Sequence, residues 1–168
     1  NGSEVEAWDP FCLTEKDTEK LSDEIIDVEM PDGKTSMFTI RAYMLPRREN
    51  FSTSQARDKA RLSNDMQGFY IYRENRLIHA GDWLGMFIRD PHLSLLRVEF
   101  SFDHTLDDVF NVDIKKSRIL LNEDIYTYIR DQILPAPRRA ADERYRKGTS
   151  KDVANKGHDA HEASNKNI

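Results

Sequence analysis

The stretch that decides the fold is LRVEFSFD, from Leu96 to Asp103. Apolar side chains alternate strictly with polar ones along it, and the apolar set is Leu96, Val98, Phe100 and Phe102. Such alternation predicts a β-strand with one face in the hydrophobic core and the other face in water. The polar side chains that we expect on the wet face are Arg97, Glu99, Ser101 and Asp103.

Two β-hairpins are predicted on the N-terminal side of this strand. In the first, the strands are Ile25–Met30 and Ser36–Leu45, joined by the turn Pro31-Asp32-Gly33-Lys34. Asp-Gly is a strong hairpin signal because glycine accepts a positive φ at no steric cost. In the second, Gly68–Tyr72 pairs with Arg76–Ala80.

Two helices complete the predicted elements. The first is Ser52–Ser63, and the second begins at Asn122, whose side chain can cap the first turn. Pro135 and Pro137 are expected to break or kink the second helix. Its buried stripe is predicted to consist of Ile125, Tyr128, Ile129 and Ile133. The order of elements predicts an α+β fold, with a mostly antiparallel sheet and helices on one face.

Length and composition exclude several classes of protein. The 168 residues suit one domain with a tail, and the longest run without Asp, Glu, Lys or Arg, Met66–Tyr72, is too short to span a bilayer. The single cysteine cannot form an internal disulfide, which favours a reducing, cytoplasmic compartment. None of the seven glycines forms a G-x-G pair, so no glycine-rich nucleotide loop is expected. Because the chain starts at Asn1 rather than Met, we expect a piece of a longer protein.

The net charge of −5 is divided unevenly along the chain. Residues 138–168 contain eight Lys or Arg and five Asp or Glu, a net +3, so residues 1–137 carry −8. We divide the chain into a lead-in (1–21), an α+β domain (22–137), a basic helix extension (138–147) and a disordered tail (148–168). The acidic body argues against a dedicated nucleic-acid binder. A weak phosphate contact is left open for Arg138, Arg139, Arg144, Arg146 and Lys147.

One loop has a pattern that suits phosphate binding. Val112–Ile119 (VDIKKSRI) leads from a short β-like stretch into paired lysines, just before the capped helix. A lysine is a compact charge on a long stem, and it can reach a terminal phosphate. A solvated loop explains the same residues, and the composition leaves both readings open.

A longer pattern resembles a known family. Gln67–Ile78 (QGFYIYRENRLI), followed by Gly81–Gly85 (GDWLG), resembles the GFYVYRNNRLI…GGW signature of bacterial GHKL-type ATPases, the relatives of gyrase B, the heat-shock chaperone, MutL and MORC proteins. The match falls in the second domain of these proteins, the transducer. The pattern continues upstream and downstream, over roughly residues 22–134, in Ile40–Pro46, Arg97–Phe100, Leu106-Asp107 and Val112–Ser117.

The resemblance implies a fold and a mechanism. The family's transducer has a ribosomal-protein-like fold with a left-handed β-α-β crossover, and one loop lysine contacts the γ-phosphate of ATP in the neighbouring domain. Lys116 matches that lysine best, and Lys115 is the reserve. The motifs that bind ATP and Mg²⁺ are absent from this sequence, so the chain alone is expected to hold no cofactor or metal and to be inactive.

The implied partner is therefore an N-terminal ATP-binding domain of the same parent chain, and homodimer formation is left open. The alternative is a stand-alone α+β protein-interaction module with a flexible basic tail. No membrane partner is expected under either hypothesis.

Overall fold

The computed structural model describes residues 7–113, 115 and 119–160, with side chains described as far as Lys147. Five strands form one sheet in the order β1-β2-β5-β3-β4. The strands are β1 (Glu19–Glu29), β2 (Thr35–Met44), β3 (Gly68–Arg73), β4 (Arg76–Ala80) and β5 (Leu96–Phe102). The helices are α1 (Ser54–Lys59), α2 (Asp107–Phe110), α3 (Glu123–Tyr128) and α4 (Pro135–Ala160). The α+β class and the mostly antiparallel sheet are thus confirmed.

The strand predicted from strict alternation, β5, lies in the centre of the sheet. It pairs antiparallel with β2, from Met44 opposite Leu96 to Thr39 opposite Ser101. On its other side it pairs parallel with β3. Both predicted hairpins are confirmed, β1 with β2 and β3 with β4, although β1 begins earlier than predicted, at Glu19.

β3 and β5 form the parallel pair of the sheet. The chain between them passes through β4 and residues 81–95, where the helical part is a short 3₁₀ turn, Pro91–Leu93. The helix α1 instead joins β2 to β3, which lie antiparallel to each other on the two sides of β5. The β-α-β crossover implied by the resemblance is therefore not found between the described parallel strands, because no α-helix connects them.

The main hydrophobic core lies on one face of the sheet. Phe38 of β2 stacks on Phe100 of β5 at 5.0 Å between ring centroids, and Phe110 of α2 meets both rings edge-on. Among the residues predicted for the helical stripe, Ile129 and Ile133 are buried in this core. Tyr128 is 43% exposed, so its predicted burial was wrong. It lies one position, about 100° around the helix, from the inward-facing Ile129.

The long helical segment changes geometry where prolines were predicted to disturb it. The Asn122 side chain accepts from the N–H of Ile125 at 2.9 Å, which confirms the cap. After α3 the chain forms a π-helical turn, Ile129–Ile133, and α4 begins at Pro135. A proline is tolerated in a first turn because no intrahelical donor is needed there. Of the predicted disordered tail, 148–168, residues 148–160 continue α4 as a helix whose side chains are not described, and residues 161–168 lie outside the described residues.

The opposite face of the sheet is covered by the N-terminal lead-in. The Phe11 ring lies 4.8 Å from Tyr43 and 5.7 Å from Tyr70, between centroids. Beneath the lead-in, Arg97 of β5 is 0% exposed, so the prediction that it faces water was wrong. Its guanidinium donates to the carbonyl of Pro10 over 2.9 Å, and this contact explains the burial.

Within the described residues, none of the helices combines the length and the hydropathy that crossing a membrane requires.

Candidate functional site

The paired-lysine loop connects the end of α2 to the start of α3. Lys115 lies in a turn of this loop and its side chain is exposed. Lys116, the preferred phosphate-contacting residue, lies outside the described residues. The structure thus places Lys115 at the surface, and the choice between the two lysines stays a prediction.

Both ends of the lysine loop are held against the core. Phe110, the last residue of α2, is fully buried, and Ile119 at the far end is buried as well. The N–H of Leu120 donates to the carbonyl of Phe110 over 2.8 Å and closes the loop at its base. Asn111, with φ 47°, ends α2 in a left-handed conformation that asparagine tolerates. Lys115 therefore lies in a loop whose two ends are fixed against the core.

An ion pair links the base of the loop to β3. Arg73 Nε and Nη2 donate to the two carboxylate oxygens of Asp107 at 2.8 and 2.7 Å, and this hydrogen bonding raises the pKa of Arg73. Such a two-point contact fixes orientation as well as distance. The carbonyl of Asp107 also accepts from the N–H of Val112 at 3.1 Å. One residue therefore connects the strand to the loop.

Gln67, which begins the family-like stretch, is the centre of a buried hydrogen-bond cluster. Its Oε1 accepts from Trp83 Nε1 at 2.8 Å and from the N–H of Asp90 at 3.1 Å. Its Nε2 donates to Asn64 Oδ1 at 2.7 Å and to the carbonyl of Asp90 at 2.9 Å. All four hydrogen-bonding positions of the amide are used. The cluster fastens residues 81–90 to the start of β3.

A glycine is required next to this cluster because two backbones approach closely. Gly68 has φ +112°, and a Cβ at this position would lie 2.2 Å from the carbonyl oxygen of Asp82. The N–H of Phe69 donates to that same carbonyl over 2.8 Å. Packing therefore accounts for Gln67, Gly68 and Trp83 of the signature-like stretch, and the functional interpretation depends on the lysine loop.

Asp82 is also held electrostatically. Burial opposes ionisation of its carboxyl, but the His79 ring, with Nε2 3.3 Å from Asp82 Oδ1, and the N–H of Leu84 outweigh burial and lower its pKa. The Leu84 N–H lies 2.8 Å from Asp82 Oδ1. An ionised Asp82 therefore fixes the start of the loop that carries Trp83.

An exposed trio lies at the β3–β4 turn. Glu74, Asp103 and His104 bring their ligand atoms within 4.8 Å of one another, a spacing that a metal ion could accept. The N–H and the Nδ1 of His104 each lie 2.7 Å from Glu74 Oε2. These bonds lower the pKa of Glu74 and raise the pKa of His104. Because Glu74 already bonds His104, and Asp103 accepts from the N–H of Thr105 at 2.9 Å, we assign these groups a structural role, bracing the turn against the end of β5.

The basic side chains predicted to contact phosphate lie in α4 and make different contacts; they are Arg138, Arg139, Arg144, Arg146 and Lys147. Arg144 Nη1 donates to the carbonyls of Asp17 and Leu45, each at 2.9 Å, and so ties α4 to the sheet. Arg146 pairs with Asp142 at 2.9 Å. Sequence reasoning missed this division because a charge run does not reveal which charges fold inward.

Cys12 is buried beside Leu45 and Ala60, as expected for an unreactive thiol. Burial raises its pKa to about 11, and the positive charge of Arg97 offsets only part of that effect. The thiolate is the reactive form, so Cys12 is not a candidate nucleophile.

Compared with known proteins, the chain matches no protein-family model, no curated protein and no solved structure. The interpretation of the site therefore depends on the geometry above and on the resemblance in residues 67–85 and 112–117.

Proposed function

We propose that the chain is the transducer domain of a GHKL-type ATPase, coupling ATP binding in an N-terminal domain to a conformational change. The observation that carries the proposal is the lysine loop: Lys115 is exposed, while the loop ends are anchored by Phe110 and Ile119. A long flexible cation on an anchored loop suits a phosphate on a neighbouring domain, because the side chain supplies reach while the base stays fixed.

In the proposed mechanism, ATP bound in the N-terminal domain attracts Lys116, with Lys115 as the reserve. A lysine–phosphate contact that exists only in the closed state shifts the equilibrium between open and closed states by its differential affinity. The same cation stabilises charge that develops during phosphoryl transfer. Lys116 thus has two roles, as a sensor of the nucleotide and as an electrostatic contributor.

ATP and Mg²⁺ are assigned to the N-terminal domain of the parent protein, and no cofactor is assigned to this chain, since its sequence contains no glycine-rich phosphate loop. The chain alone is expected to be inactive. A cytoplasmic location is proposed because the single cysteine suits a reducing compartment.

The proposed route from the lysine loop into the sheet uses described contacts. A pull on Lys115 or Lys116 would act on α2 through Phe110 and on β3 through the Arg73–Asp107 pair. β3 lies directly beside the central strand β5. Arg73→Ala is therefore expected to weaken coupling between nucleotide binding and domain closure while ATP still binds.

The decisive experiment joins this chain to the N-terminal domain of its parent protein and measures ATP turnover. We expect Lys116→Ala, or Lys115→Ala if the reserve is used, to lower turnover at least about tenfold. Lys34→Ala is the matched control, since Lys34 is also an exposed loop lysine but lies in the β1–β2 turn. Wild-type turnover in both loop variants would contradict the proposal.

A second candidate function is a stand-alone protein-interaction module. Ile25 and Met37 are 62% and 55% exposed, and the register of β1 with β2 puts them on the same face of the hairpin. Neighbouring exposed apolar side chains favour contact with another protein. The coding sequence upstream of Asn1 separates the two candidates: an E-x-x-x-N helix and a D-x-G-x-G motif support the transducer, and a start codon near Asn1 supports the module.

A further inference from the structure

A cleft of about 330 Å³ lies between the 3₁₀ turn Pro91–Leu93 and the first turns of α4. Its charged and polar lining consists of Asp90, His92, Arg138, Arg139, Asp142 and Arg146. The lining does not include Lys115. A ligand bound in this cleft would therefore not depend on the lysine loop of the proposed function.

Arg138 is positioned in this cleft with hydrogen-bonding capacity unused. Its guanidinium carbon lies 3.8 Å from the centre of the Phe87 ring, which fixes the plane of the group. Its Nε is buried and has no hydrogen-bond partner among the described residues. Burial lowers the pKa of Arg138 and the charge of Asp90 partly offsets this, yet an arginine stays protonated in proteins. Neither Arg138 nor the exposed Arg139 forms an ion pair with a described carboxylate.

The two carboxylates of the cleft are already occupied. Asp90 Oδ1 accepts from the N–H of His92 at 2.9 Å and caps the 3₁₀ turn. Asp142 accepts from Arg146 Nε at 2.9 Å and contacts His92 Nδ1 at 2.9 Å. With three arginines against two aspartates, the charged lining of the cleft has a net charge of +1, and Arg138 and Arg139 are its arginines without an ion pair to a described carboxylate.

We infer that this cleft binds a phosphate group, with Arg138 and Arg139 as its principal ligands. Guanidinium groups present planar forks of N–H donors that match phosphate oxygens two at a time. A phosphate carries up to two negative charges and several acceptor oxygens, enough for two arginines at once.

The source of the phosphate is either a nucleotide or a nucleic-acid backbone, and the surroundings admit both. His92 stacks on Tyr145 at 4.6 Å between ring centroids. Tyr145 lines a second cleft of about 410 Å³ together with Arg47 and Arg48. A ligand with more than one phosphate can therefore extend from the first cleft past this stacked pair.

The test titrates the full chain with three probes: inorganic phosphate, ATP without Mg²⁺, and a fluorescein-labelled oligothymidine of twelve nucleotides. We expect at least one probe to bind, with affinity that falls as salt rises. Arg139→Gln is expected to weaken that binding about tenfold, since it removes one charged contact. Arg130→Gln is the matched control, because Arg130 is partly exposed and already paired with Asp131.

Arg138→Gln is expected to weaken binding by a similar factor, and thermal melting checks that the loss of the Phe87 stack has not unfolded the chain. If it has, Arg139→Gln decides alone. If the oligonucleotide alone binds, the source is a phosphodiester. If ATP or inorganic phosphate binds and the oligonucleotide does not, the source is a phosphomonoester. The inference is overturned if no probe binds at millimolar concentration, or if a folded Arg139→Gln chain binds as well as the Arg130→Gln control.

Discussion

Two residues of β5 show how differently the two faces of the sheet are built. Phe100 and Arg97 are both 0% exposed, but they point to opposite faces. Phe100 is buried by apolar rings, including Phe38 and Phe110. Arg97 is buried by the lead-in, through a carbonyl 87 positions away in the chain, that of Pro10. Burial on the face that packs against the helices, the helix face, follows from the strand's own pattern of apolar residues. Burial on the face under the lead-in, the lead-in face, depends on a remote segment of the chain.

The two faces also differ in what stabilises them. The helix face gains free energy from apolar area removed from water. On the lead-in face, a charged group keeps two carbonyl contacts, to Pro10 at 2.9 Å and to Arg61 at 3.2 Å, and lies 5.3 Å from the ring centre of Tyr70. Burial lowers the pKa of Arg97, which reflects the cost of desolvating its charge.

The largest effect is expected on the helix face. Phe100→Ala removes a ring that contacts Phe38, Phe69 and Phe110, and leaves a cavity in the core. We expect the free energy of unfolding to fall by about 3–5 kcal/mol, measured by urea denaturation. Ser101→Ala, the next residue on the other face, is the control. A loss below about 1 kcal/mol for Phe100→Ala would mean that the core is not centred on this ring.

A smaller effect is expected on the lead-in face. Arg97→Ala leaves the carbonyls of Pro10 and Arg61 without their donor and opens a gap, so we expect a loss of about 2–4 kcal/mol. Arg97→Met also removes the charge but refills most of the volume, so its loss is expected to be smaller than that of Arg97→Ala, which leaves a cavity. Urea denaturation of both variants measures the difference. Equal losses would show that volume plays no part.

The buried thiol of Cys12, in the lead-in, is expected to make the free energy of unfolding depend on pH. Because the pKa of Cys12 is raised from 9.0 to about 11, its contribution to stability is fully present below pH 9 and is lost as pH rises through 11. Between pH 8 and pH 10.5 the wild-type chain should lose on the order of 2 kcal/mol more than Cys12→Ala. Urea denaturation with a reductant measures both chains at both pH values. Parallel pH profiles would contradict burial of the thiol.

The smallest effect is expected at Arg41, on the same face as Arg97 but in a part of it that the described lead-in residues leave partly exposed. Arg41 pairs with Asp23 at 3.0 Å and with Glu99 at 3.1 Å, and its side chain is 33% exposed. Arg41→Ala should cost about 1 kcal/mol or less. The difference from wild type should shrink further in 1 M salt, where screening acts within about 3 Å. A loss as large as that of Arg97→Ala would abolish the distinction between covered and uncovered parts of this face.

Local signals account for the elements that were predicted correctly. Alternation located β5, the Asp-Gly turn located the first hairpin, and the Asn122 cap located the start of α3. Each depends on residues within a few positions of one another. The candidate loop was also located by a local pattern, its paired lysines.

Contacts between distant residues account for what could not be predicted. Arg97 was expected in water because the strand pattern contains no information about Pro10. The contacts of Arg144 could not be predicted either, because its partners Asp17 and Leu45 lie about a hundred positions or more away in the chain. Gln67 carried no signal of its own, because two of its three partner residues, Trp83 and Asp90, are brought to it only by the folded loop of residues 81–90.

The tie made by Arg144 has a mechanical consequence. One guanidinium nitrogen bonds the carbonyl just before β1 and the carbonyl just after β2, each at 2.9 Å. Tension applied along α4 is therefore delivered to the outer hairpin of the sheet through Arg144, as well as to the aromatic core, into which Ala141 of the same helix packs. A partner that binds this helix would act on β1 and β2 and on the core together.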